Sequence, residues 1–214
     1  LLDTVGMPEV EYKAFAEYEA MADKHEYVDA VRVTKGDRQS IAKALAIYSA
    51  FTEGLQLFSS FIILLNFPRF GKMKGMGQII TYSIRDESLH VEAMTKLFRE
   101  FIQENIDIWT DDFKGEIYQA CREMVALEDR FLDLVFEQGD IVGLTKKEMQ
   151  QYIRYIADRR LLQLGLKPNY KVKDNPLNWL DDVLGVEHQN FFEGRATTYM
   201  KAGLRGNVEK VKFA

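Results

Sequence analysis

Arg85-Asp86-Glu87-Ser88-Leu89-His90 sets a carboxylate and an imidazole three residues apart in the middle of a long helical pattern. Residues three apart lie on one helix face, so Glu87 and His90 can offer an oxygen and a nitrogen to the same metal ion. Inward-facing Glu-x-x-His pairs hold paired metal ions in helix bundles. The spacing also recurs by chance in solvated helices, so its meaning rests on what surrounds it.

Upstream, residues 41–65 are apolar on nearly all sides, the signature of a buried helix, and Lys43, Glu53 and Gln56 interrupt them too often for a membrane span. Glu53 lies deep in that run and must be protonated, paired or metal-bound, because an isolated buried charge is too costly. Asn66-Phe67-Pro68-Arg69-Phe70-Gly71 reads as a turn, and a second helical run comes after it. In an antiparallel hairpin, residues equally far from the turn lie level, and residue 70 is midway between Glu53 and Glu87. The two carboxylates should therefore face each other, with His90 one turn further along. That is half of the four-carboxylate, two-histidine set of a dinuclear centre. The alternative is structural: Glu53 bridges to Arg85, and His90 makes a core hydrogen bond.

The 214 residues are 47% hydrophobic, enough for one sizeable core, and residues 1–214 are read as part of a single domain. A net charge of -5 without a basic stripe argues against direct nucleic-acid binding. The single cysteine, Cys121, packs as a small apolar residue and permits no intrachain disulfide, which fits a cytoplasmic protein. Periodicity predicts helices near 9–22, 37–65, 72–104, 112–138, 145–165 and 188–203. Asp37 is a candidate cap, Thr145 with Glu148 a capping box, and residues 167–178 an ordered loop. No strand alternation is convincing, so the fold class is all-α, an antiparallel helix bundle. His25, in a polar run, and His188 read as surface residues, and Tyr48, Tyr82 and Tyr155 as core tyrosines.

The chain resembles the small, radical-generating subunit of class I ribonucleotide reductase. The resemblance is carried by Glu53-Gly54-Leu55-Gln56-Leu57-Phe58-Ser59-Ser60-Phe61, by Ile84-Arg85-Asp86-Glu87-Ser88-Leu89-His90, by Tyr155-Ile156-Ala157-Asp158-Arg159-Arg160-Leu161, and by Asn175-Pro176 followed by Asn190-Phe191-Phe192-Glu193. It implies a ferritin-like bundle and a dinuclear metal centre that reacts with oxygen, di-iron first, with iron/manganese or di-manganese as alternatives. It also implies a large catalytic subunit where nucleotides are reduced, a dimer of small subunits, and no membrane. Glu53, Glu87 and His90 match metal ligands, and Asp86 matches the carboxylate on the radical-transfer route. Phe61 matches an aromatic beside the metals, while Leu57 and Ser83 stand where bulkier residues are frequent.

The family's other acidic ligand, its other Glu-x-x-His and its radical tyrosine have no counterpart here. Leu1-Leu2-Asp3-Thr4-Val5-Gly6 resembles the segment just after them. The expectation is therefore a C-terminal portion of the subunit, lacking the family's N-terminal helices and completed by an N-terminal chain or segment. The tail that docks on the large subunit is expected to be short or missing after Phe213-Ala214. The rival readings are a ferritin-like oxidase or iron-handling protein, and a non-catalytic helical assembly protein.

Overall fold

The computed structural model describes residue 13 and residues 17–180, and among these it is helical with no strand. Residues 1–177 form one compact unit and residues 178–214 a second, almost all of which lies outside the described residues. Outside them also fall the expected helix at 188–203, His188, the Asn190-Phe191-Phe192-Glu193 segment, the opening Leu1 to Gly6 and the tail at Phe213-Ala214.

Among the described residues, six α-helices build the first unit: α1 (Glu19–Asp29), α2 (Arg38–Ala46), α3 (Leu57–Arg69), α4 (Lys74–Glu104), α5 (Asp111–Val135) and α6 (Lys146–Gln163). A π-helical segment, Ile47–Gln56, joins α2 to α3 without a break, so the three run as one long rod. The fold is the antiparallel ferritin-like bundle expected from the sequence. The rod and α4 make one hairpin, α5 and α6 another, and the π segment packs against α3, α4, α5 and α6. Phe51, Leu55, Ile62 and Leu65 of the rod meet Ile117, Met124, Leu132, Met149 and Ile153 in a core where each is buried. The rod's most apolar stretch has the length and hydropathy of a membrane-crossing helix, but 61% of that stretch is buried inside the protein, as in a core helix.

Local chemistry sets the helix ends. Asp37 accepts from the Gln39 N–H at 3.0 Å, and Thr145 and Glu148 form the reciprocal capping box. The hairpin turn comes later than expected. The rod continues to Arg69, with Pro68 in its last turn, and Gly71 and Met73 reverse the chain with φ of 73° and 47°. The Pro68 ring lies against Gly77 of α4, where any Cβ would collide with it, so glycine there lets the turn close. Asn66 and Arg69 then bind the carbonyls of Val142 and Gly143 at 2.9 Å each, fixing the turn to the loop before α6.

The first helix also departs from expectation: residues 23–26, read as a polar surface run, are helical, and α1 reaches Asp29. The reason is a buried charge. Lys24 reaches Glu128 of α5 at 2.5 Å, Ser59 of α3 hydrogen-bonds the same carboxylate, and the Lys24 ammonium lies 4.5 Å from the Phe131 ring centroid. His25, on the same helix, is exposed. Burial pushes the Glu128 carboxyl up, opposed by Lys24 and Ser59.

Breaking one side of such a pair leaves an uncompensated buried charge, which costs about 3–5 kcal/mol. Lys24→Met should therefore lower the urea midpoint sharply, whereas the double variant Lys24→Met/Glu128→Leu should recover most of the loss. Equal midpoints for the single and double variants would show that the pair does not anchor α1.

Candidate metal centre

Glu53 stands in the π segment, and Glu87 and His90 stand on α4, all near the middle of the hairpin. One ligand atom from each lies within 4.8 Å of the other two. His90 Nδ1 is 3.3 Å from Glu87 Oε2. The convergence does not obey the simple level-for-level count. With the turn between Arg69 and Lys74, strict α-helical counting places Glu53 level with His90 rather than Glu87. The rod reaches both because Glu87 and His90 occupy successive turns of one face, and because the wider i→i+5 turns of the π segment shorten the helix ahead of α3.

The electrostatics are those of a site short of positive charge. Glu53 is held above its ordinary carboxyl range, first by burial, then by the neighbouring Glu87 carboxylate, with His90 opposing the shift. Glu53 Oε2 is buried and has no hydrogen-bond partner, as is Thr52 Oγ1 beside it. A carboxylate oxygen in that position, facing a second carboxylate and an imidazole, is the donor set that a divalent cation satisfies. Arg85 is exposed, and burial together with Glu87 raises the Glu53 carboxyl while His90 opposes the shift. Glu53 is half-buried, less enclosed than an interior position in an apolar helix suggests, because the face of α4 next to it is open. On that face His90 is exposed, and Tyr82 and Leu89, 47% and 64% exposed, stand on the outer side of α4.

Asp86 is exposed and, as the neighbour of Glu87 in an α-helix, points about 100° away from it. Phe61 is half-buried and meets Phe58 edge-on, with ring centroids 6.0 Å apart. Leu57 is exposed and Ser83 half-buried. Cys121 is buried and its thiol pushed up to about 12 by burial, which keeps it protonated and inert. The tyrosines depart from expectation. Tyr48 and Tyr82 are exposed and Tyr155 half-buried, because they stand on the outer sides of their helices, where Tyr48 donates to the Val28 carbonyl and Tyr82 accepts from Gln78.

Two features had no separate reading in the sequence. The π segment leaves no mark in the hydrophobic pattern, since a wider helical turn keeps an all-round apolar stretch apolar. Arg160 was visible only within the Tyr155 to Leu161 motif. Its Nε donates to the Gly54 carbonyl at 2.8 Å, one residue from Glu53.

The family model described as "Ribonucleotide reductase, small chain" matches residues 1–176. A relative in Invertebrate iridescent virus 3, named "probable ribonucleoside-diphosphate reductase small subunit", is 43% identical over 97% of this chain and 60% of its own length. The ribonucleoside-diphosphate reductase subunit beta of Chlamydia pneumoniae is 36% identical over 75% of this chain and 46% of its own. A solved ribonucleotide reductase subunit of Clostridium botulinum superposes with a TM-score of 0.78 at 27% identity, covering 86% of this chain and 59% of that one. The chain thus spans 46% to 60% of the length of these relatives.

The raised Glu53 carboxyl has a sign that can be measured. A carboxyl held above its ordinary value binds its proton more tightly when folded, so its share of stability is full below pH 4.5 and is lost as the pH rises through the folded value. Metal-free protein should lose stability above pH 4.5 relative to Glu53→Gln, the gap widening and then levelling. Mn(II) should reverse it in the unsubstituted protein only. Identical pH profiles for the two proteins would contradict the repulsion between Glu53 and Glu87.

Proposed function

The chain belongs to the ribonucleotide reductase small-chain family, and on that premise we propose that it supplies one wall of the subunit's dinuclear metal centre through Glu53, Glu87 and His90. The complete subunit then provides the oxidising equivalent with which a large catalytic subunit reduces ribonucleotides to deoxyribonucleotides. The observation that carries this reading is the meeting of two carboxylates and an imidazole, with one buried carboxylate oxygen lacking any hydrogen-bond partner.

The residues suit the task. When bound, the metal pair supplies oxygen-dependent redox chemistry, with di-iron preferred and iron/manganese or di-manganese as alternatives. Glu53 and Glu87 neutralise cationic charge with hard oxygen donors, and carboxylates can change how they bind as that charge changes. His90 contributes a neutral nitrogen, and its position over Glu87 fixes the ring. Asp86, turned away from the ligands, accepts or passes a proton on the route toward the large subunit.

Among the described residues three protein ligands converge, which leaves the opposite wall of the centre to be built. A helix carrying a further Glu-x-x-His would build that wall. That helix belongs to an N-terminal small-subunit chain or segment, within a dimer of such units. The lone buried cysteine suits a cytoplasmic setting.

The test separates the ligands from Asp86. In the complete small subunit, Glu87→Ala and His90→Ala should each lower Fe(II) or Mn(II) affinity by about 10-fold or more. Asp86→Asn should keep the metal content yet lose nucleotide reduction with the large subunit. Equal metal loss in Asp86→Asn would make Asp86 a ligand or a folding determinant, and undiminished metal binding in the other two variants would sink the assignment.

A further inference from the structure

A buried side chain of α6 hydrogen-bonds the backbone of the π segment that carries Glu53. Arg160 is nine-tenths buried, donates from Nε to the Gly54 carbonyl at 2.8 Å, donates from Nη1 to the Gln163 amide oxygen at 2.9 Å, and stacks on Phe58 with its guanidinium carbon 5.1 Å from the ring centroid. Among the described residues no carboxylate pairs with it, and burial pushes its guanidinium down to about 10, still charged at neutral pH. A buried guanidinium is expensive unless its donors are used. Here they are spent on the backbone next to a ligand.

The fit is close on both sides. A Cβ at Gly54 would come within 2.6 Å of Arg160 Nε and 3.1 Å of the Ser49 carbonyl, so glycine is what lets the guanidinium reach the helix backbone. On its far side Arg160 lines a polar cavity of about 600 Å³ together with Ser88, Glu92, Thr95, Lys96 and Arg99 of α4. It therefore touches the element that carries Glu53 and borders the one that carries Glu87 and His90.

π-Helical turns are rare and intrinsically less stable than α-helical ones, and they persist where the surroundings impose them. Each residue absorbed by the wider turn rotates the downstream helix by about 100° relative to an uninterrupted α-helix. A segment free to relax to α geometry would swing Glu53 away from its partners.

We propose that Arg160 is a positioning residue, which locks the Ile47–Gln56 π segment through the Gly54 carbonyl and so aims Glu53 at Glu87 and His90. This rests on the reading of those three residues as a metal site only for its functional consequence; the structural part stands by itself.

The test uses the complete small subunit with Arg160→Met, Arg160→Lys, Gly54→Ala and, as a control, Arg154→Met. Arg154 lies on the same helix and forms a bidentate ion pair with Asp129, with N–O distances of 3.0 and 2.6 Å, but is not among the groups that reach Gly54. Two readouts apply: hydrogen exchange of the 47–56 amides without metal, and Mn(II) affinity by titration monitored with electron paramagnetic resonance. Arg160→Met and Gly54→Ala should lose protection across 47–56 and bind Mn(II) about 10- to 100-fold more weakly. Arg160→Lys, which keeps charge and one donor, should fall between, and Arg154→Met should match the unsubstituted protein in both. Unchanged exchange and affinity in Arg160→Met, or equal losses in Arg154→Met, would overturn the proposal. If Arg160→Met fails to fold, Gly54→Ala and Arg160→Lys decide by the same two readouts. An unsubstituted protein that binds no Mn(II) would refute the metal reading, while the exchange data would still decide for or against Arg160.

Discussion

Two carboxylates are forced together in the middle of a helix hairpin, and much of the bundle is arranged around that cost. Glu53 and Glu87 repel, and burial makes the repulsion worse, so Glu53 keeps its proton to a higher pH than an ordinary carboxyl does. A fold selected only for stability would replace one of them with an apolar residue. This one instead grips the rod that carries Glu53 at several points: Pro68 on Gly77 at the turn, Asn66 and Arg69 on the loop before α6, Ser59 on the buried Glu128, and Arg160 on Gly54. Stability drawn from the surrounding core offsets the repulsion between the two carboxylates.

That economy explains the open side of the site. α4 buries Ile84, Val91, Thr95, Phe98 and Ile102 toward the bundle, while Glu87 is half-buried and His90 exposed.

Much of this was legible in the residues. The all-α class, the caps at Asp37 and Thr145, and the hairpin that brings Glu53 toward Glu87 derive from periodicity, capping chemistry and helix spacing, because each is a local property of the chain. What stayed hidden depends on distant partners. The length of α1 hangs on an ion pair between residues far apart in sequence, Lys24 and Glu128. The π segment changes the number of residues per turn without changing which residues are apolar. Arg160 looks like a surface arginine until α6 is laid against Gly54. The exact place of the turn was missed for a similar reason: Pro68 ends many helices, but here a glycine across the hairpin makes room for it.

The most direct measurement is anomalous X-ray diffraction from crystals of the complete small subunit loaded with Mn(II). The account predicts a metal peak about 2.0–2.2 Å from carboxylate oxygens of Glu53 and Glu87 and from a ring nitrogen of His90, the usual range for such donors. A peak elsewhere in the bundle, or none at this position in protein shown to contain the metal, would contradict it.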